Sequence, residues 1–352
     1  MKQGVAPGTV DGAAIGVVGG GEPPSADQSG RPTLRSVRLA LMRNALPVGF
    51  VVLVAVFVAL GAPNFFTLGN FSQMLRLSAP VMVVAVPMAF LLIMGYVDLS
   101  VGSLVALTAV ILGLLITELE MAAPLAVVLA LAAGGLVGLI NGLLVVGIGL
   151  APVIVTLGSF AAVRGLAMWL APSPVFGFGD DFSAIGYTGL FGFPWLVIMA
   201  AIVVLVGGYV LALSPIGRHV LAIGVNAEAT FLSGVNVPRT IVGGYVATGL
   251  AAGLGGMMWA MLLNSAPSGT LGVGFELDVL TAVMLGGVAF NGGRGTIRGV
   301  VLGVLFLAIL QNGLTLLNVQ AAVAAFIKGI ALIVAATLDR ATLKAMFAVK
   351  GR

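Results

Sequence analysis

The stretch PVMVVAVPMAFLLIMGYVDLSVGSLVALTAVILGLLIT, residues 80–117, carries one charged side chain, Asp98, between two apolar runs. A bilayer core about 30 Å thick takes roughly 20 apolar residues per helix, so each run reads as a membrane-crossing segment. Between them lies GYVDLSVGS, Gly95 to Ser103. Asp98 and Ser100 can cap the helix that follows, since its first amides find no water inside a membrane. Alternatively, Asp98, Ser100 and Ser103 can offer hydrogen bonds to a polar solute.

The same pattern recurs along the chain. Of 352 residues, 60% are hydrophobic and 8% charged, against about 25% charged in a soluble domain. Ten apolar spans are predicted, near residues 41–60, 77–97, 101–117, 122–146, 151–170, 194–213, 241–263, 279–290, 297–317 and 321–338. The expected fold is therefore an all-α polytopic membrane protein with a transmembrane domain over residues 41–338. Residues 1–40 are polar and rich in Gly, Pro and Ser, with no apolar run to serve as a signal-peptide core, and are expected to form a disordered cytosolic tail. Residues 339–352 are expected to form a short cytosolic tail.

Charge tests the number of spans, because cytosolic loops hold the Lys and Arg excess. With ten spans and a cytosolic N-terminus, 13 of the 16 basic residues fall inside; Arg76 lies in an external loop, and Arg164 and Lys328 lie within spans. Glu118, Glu120, Asp180, Asp181, Glu276 and Asp278 fall outside. The net charge of +4 thus sets topology and does not point to nucleic acid. The eighth span is short, and the glycines of Gly286 to Gly295 crowd its exit, as in a broken helix lining a cavity. Pairs spaced by four, such as Gly134 with Gly138, Gly249 with Gly253 and Gly299 with Gly303, let helix backbones approach closely. The hydropathy of the two halves hints at an internal repeat of about five spans.

Several chemistries are excluded. The chain has no cysteine, and His219 is its single histidine, so thiolate metal sites and histidine relays are out. GGVAFNGGRGTIRG, Gly286 to Gly299, lacks the lysine and strand context of a phosphate-binding loop. No catalytic or metal-ligating constellation is found, and any nucleotide energy has to come from another subunit.

Arg164 and Lys328 sit in apolar runs, where a charge costs at least about 2.5 kcal/mol. Both should face the bundle interior, either lining a polar path or bonded to buried carbonyls or acids, and neither has an identifiable counter-charge in the sequence. The segment SPIGRHVLAIGVNAEATFLSGVNVPRT, Ser214 to Thr240, is far longer than the usual 2 to 8 residues between bundled helices. A short surface helix is predicted between Gly224 and Gly234, with Asn226 as N-cap and Glu228 in its first turn. It suits docking of a cytosolic partner, with His219 an ordinary exposed residue.

Four stretches together carry a family resemblance: PNFFT (63–67), DLSVGSLVALT (98–108), GRHVLAIGVNAEATFLSGVNV (217–237) and FELDVLTAVMLGGVAFNGGRGTIRG (275–299). In that order and spacing they resemble the permease subunits of ribose/xylose-type ATP-binding cassette (ABC) sugar importers, over about residues 45–340. The resemblance implies a ten-span permease similar in topology to the vitamin B12 type of importer, in a bacterial inner membrane. It works as a pair of identical or related permeases, with cytosolic ATPases that bind ATP and Mg, and a periplasmic sugar-binding protein. The chain itself would need no cofactor. Carried over by position, Gly217, Arg218, Asn226, Glu228, Ala229, Ser233 and Gly234 look like the ATPase-docking region. Relatives often read GGNEAA where this chain reads GVNAEA, Gly224 to Ala229, and one residue is inserted before Asp98.

A neutral sugar needs a lining of hydroxyl, amide and aromatic groups, and Asp98, Ser100, Ser103, Asn141, Thr156 and Arg164 are the candidates for it. A stand-alone secondary transporter or facilitator is the alternative class, and it predicts an intramembrane acid for ion coupling. The acids here are read near the predicted interfaces. A membrane receptor or scaffold explains the docking loop but not the broken span. A branched-chain amino acid permease is the nearest competitor among transporters.

Overall fold

A computed structural model describes residues 45–190 and 192–350. The tail assigned to residues 1–40 and the last two residues of the chain lie outside the described part. The helices are α1 (Ala45–Ala59), α2 (Leu68–Ile93), α3 (Val101–Thr117), α4 (Ala123–Gly147), α5 (Pro152–Leu170), α6 (Asp180–Tyr187), α7 (Trp195–Leu213), α8 (Pro215–Val225), α9 (Ala227–Leu232), α10 (Val237–Leu263), α11 (Phe275–Leu285), α12 (Ile297–Leu316) and α13 (Ala321–Lys350). Four two-residue strands join the loops: β1 (Val175–Phe176) pairs antiparallel with β4 (Ser265–Ala266), and β2 (Gly189–Leu190) with β3 (Phe193–Pro194).

Six helices, α2, α4, α5, α7, α10 and α12, are long and apolar enough to cross a membrane, and α1, α3 and α13 contain shorter apolar stretches. Each predicted span has a helix, most with shifted boundaries. The second begins at Leu68, nine residues early, because the Thr67 side chain accepts from Asn70 N and starts the helix there. Arg76 is therefore on a helix and not in an external loop. The eighth is α11, 11 residues long, or roughly 16 Å, half a bilayer core. It starts at Phe275, four residues before the predicted span, and stops at Gly286, so Glu276 and Asp278 lie in its first turn. The last helix runs on past 338 to Lys350, since Ala, Leu, Arg and Lys hold a helix without needing apolar surroundings.

Helices α2 and α10 form the centre. About 78% of the apolar window of α2 is buried, against 22% for α5 and for α7, which turn Leu157, Leu205 and Val206 outward. A core of buried residues wrapped in outward-facing apolar side chains is what lipid surroundings require. The glycine pairs act as expected. A Cβ on Gly134 would strike the Gly249 carbonyl, and one on Gly138 the Tyr245 carbonyl, so α4 and α10 touch backbone to backbone. Gly299 and Gly303 do the same for α12 against Gly286 and Ala282.

Two non-helical segments enter the interior. Residues 94–100 turn inward at Gly95 (φ +86°), and residues 267–274 fold back between β4 and α11, with Gly272 and Gly274 at positive φ. Irregular backbone is tolerated at such depth only when packed against protein. Here Tyr245 Oη, fully buried, donates to the Val97 carbonyl at 3.1 Å, and Gly272 lies against the Gly102 carbonyl.

Candidate transport site and docking surface

Ser214 opens the docking segment by accepting from Gly217 N at 3.2 Å, with Pro215 at the first helical position of α8. The docking element expected over Ser214 to Thr240 thus holds a second helix, α8, ahead of the one predicted between Gly224 and Gly234, and Ser-Pro before an apolar run is its signal. Asn226 is extended (φ −160°), breaks α8 from α9, and accepts from Ala229 N at 2.9 Å as the predicted N-cap. Glu228 lies exposed in the first turn of α9. Ser233 Oγ donates to the Ala229 carbonyl, and Gly234, at φ +86°, ends the helix. Gly217 is buried against the carbonyls of Val210 and Leu211, whereas Arg218 points to solvent. His219 is half-buried in a groove and is not the exposed residue expected. Beside Glu228 the surface is apolar, with Val225 76%, Phe231 59% and Leu232 79% exposed.

Gly224 ties this segment to the bundle. It packs on the Ile93 carbonyl and on Gly293 with no room for a Cβ, and Gly293 N donates to that carbonyl at 2.8 Å. The end of α2, the docking segment and the glycine turn before α12 are thus one knot.

Among the predicted path residues, Asp98, Ser100, Ser103 and Asn141 come together. Ser100 N and Oγ donate to Asp98 Oδ1 at 2.9 and 2.5 Å, and Asn141 Nδ2 donates to Ser100 Oγ at 3.0 Å. Ser159 Oγ donates to Asn141 Oδ1, and Ser103 Oγ to the Ser100 carbonyl at 2.8 Å. Ser100 occupies the N-cap position of α3 but makes no capping bond, because its hydroxyl is committed to Asp98. Asp98 is fully buried in the protein, and its Oδ2 has no hydrogen-bond partner. Thr156, also buried, donates to its own helix at the Pro152 carbonyl and not to this cluster.

Arg164 reaches the inward fold. Its Nη1 donates to the carbonyls of Ser268 (2.8 Å) and Leu271 (2.7 Å), and Nη2 to that of Gly102 (3.4 Å). The Glu276 carboxylate lies where a Cβ on Gly102 would stand; its Oε2 is buried without a hydrogen-bond partner, and it interacts electrostatically with Arg164. Lys328 has a counter-charge after all, Asp278 at 2.9 Å, fifty residues earlier on α11. The pair borders a cavity of about 430 Å³ that Gln73, Trp259, Gln311 and Asn312 also line. Sequence spacing linked none of Ser159, Tyr245, Glu276 or these amides to the site, because their partners lie on segments far away in the chain.

Residues 70–336 match the family described as branched-chain amino acid transport system / permease component. The ribose import permease protein RbsC of Escherichia coli (strain K12) is 36% identical over 304 residues, 85% of this chain and 94% of its own length. The galactose/methyl galactoside import permease protein MglC of Haemophilus influenzae is 34% identical over 318 residues, 85% of this chain and 94% of its own. The L-arabinose ABC transporter permease protein AraH of Azospirillum brasilense is 35% identical over 303 residues, 85% of this chain and 87% of its own. No solved structure matches the chain. The chain belongs to this family of transport-system permease components. The resemblance to ribose-type sugar permeases drawn from the four motifs holds, and the chain is a membrane permease component and not an enzyme.

Proposed function

We propose that this chain is the permease subunit of an ABC importer that carries a monosaccharide across a bacterial inner membrane. It would cross ten times with both termini cytosolic, in the manner of the vitamin B12 type. A second permease, cytosolic ATPases and a periplasmic sugar-binding protein would complete the assembly. The observation that carries this reading is the knot at Gly224. An ATPase gripping the exposed apolar face of α9 moves α8, and α8 cannot move without the Ile93 end of α2 and the turn at Gly293. That turn leads into α12 and adjoins α11, so force applied at the docking surface reaches the inward fold that Arg164 pins. Rigid helices joined at such contacts rearrange as bodies, which is how alternating access works. Binding selectivity would lie with the sugar-binding protein.

A buried Asp98 with an unpartnered oxygen favours a second reading, ion-coupled transport by this chain alone. Proteoliposomes separate the two. Uptake of labelled pentose or hexose should require the ATPase, ATP and the binding protein, and uptake by the permease alone under a proton gradient would overturn the ABC reading.

A further inference from the structure

Two apolar grooves flank one ridge of α10. One, of about 680 Å³, lies against the end of α4 and is walled by Leu143, Val146, Val242 and Val246. The other, of about 810 Å³, lies between α10, α2, α7 and α8, with Val86, Phe90, Val206 and Val220 in its wall. Arg239, Gly243, Ala247 and Leu250 line both, so one ridge of the helix separates the two slots, and Arg239 is the charged residue they share.

Arg239 is the third residue of α10 and is exposed. The ion pair among the described residues is Lys328 with Asp278, so Arg239 has no carboxylate partner there. His219 and Thr240 also border the larger slot at this end. From Arg239 to Leu254 that slot runs along roughly 22 Å of helix, more than the 15 Å or so of one leaflet's hydrocarbon. Beyond His219, Arg239 and Thr240 its lining side chains offer a sugar no hydrogen bonds, so hydrocarbon is the chemistry that fits them. Two apolar slots joined at a cation match a lipid with two chains and a negative head, and basic sites between helices on the cytosolic side attract such heads.

We propose that α10 binds one anionic phospholipid, an acyl chain in each groove and the phosphate on Arg239. The leaflet assignment rests on the orientation taken above, with the Arg239 end cytosolic. Because Ile216, His219 and Val220 of α8 form part of the wall, the lipid also braces the docking segment.

Native mass spectrometry of the complete complex, exchanged into mixed phosphatidylglycerol and phosphatidylcholine micelles, reads retention directly. The complex should keep phosphatidylglycerol in preference, and Arg239→Gln should lower that preference about fivefold, what one basic side chain near an anionic surface contributes. Gly243→Leu adds a side chain where a Cβ meets open space. It should lower retention of both lipids at an unchanged thermal midpoint. Unaltered retention in either variant overturns the site. So does a disulfide between copies carrying Ala247→Cys, in a chain with no cysteine of its own, because a second permease would then cover the face. Retention is read without transport, so failure here leaves the transport reading standing.

Discussion

Ser100 is the hinge of the polar cluster, donating to Asp98 and accepting from Asn141, whereas Thr156 bonds only its own helix. Removing one partner from a buried pair leaves the other unsatisfied at about 1–3 kcal/mol. Ser100→Ala should therefore lower the thermal midpoint clearly, and Thr156→Val should not; equal shifts would dissolve the cluster as a structural unit. Arg164 acts on backbone, holding Ser268 and Leu271 by their carbonyls. For Arg164→Ala we expect normal assembly with the ATPase and loss of sugar uptake, since the inward fold is no longer pinned near the path. Uptake at the wild-type rate would reduce Arg164 to a support. Both residues were visible in the sequence as polar groups among apolar neighbours. Their distant partners, Asn141 for Ser100 and the Ser268 and Leu271 carbonyls for Arg164, were not, because a hydrogen bond between segments far apart in the chain leaves no trace in spacing.

Helix existence followed from apolar run length, and the α3 prediction, residues 101–117, matches the observed helix at both ends. Ends depending on a cap drifted: Thr67 lengthened α2, and Ser214 started α8 ahead of the one short helix expected in the docking segment. Glycine spacing reported which helices come close but not to whom. Gly249 faces the Gly134 carbonyl with no space for a side chain. Gly249→Leu should thus force α4 and α10 apart at about 3 kcal/mol, the upper end of the usual cost of overpacking. The check is a lowered thermal midpoint beside Gly243→Leu, which meets open space and should leave it unchanged.

For the whole molecule, an exposed apolar patch around a single acid, Glu228, asks for a partner in water rather than lipid. Glu228→Lys should reduce ATPase co-purification several-fold while the permease still folds, because a charge reversal at an interface rim acts on association. Undiminished co-purification would remove Glu228 from the docking surface. The knot at Gly224 could not be foreseen, since its three strands of chain lie at residues 93, 224 and 293.

Run length, scarcity of charge and four ordered motifs made the membrane class and the family legible from the sequence alone. These are local properties, and lipid imposes them on each segment separately. Only the folded chain decided that Lys328 meets Asp278, that Asp98 is sealed inside, and that two grooves share Arg239. Those features depend on which helix faces which, and that is settled by side chains fitting across gaps between segments far apart in the chain.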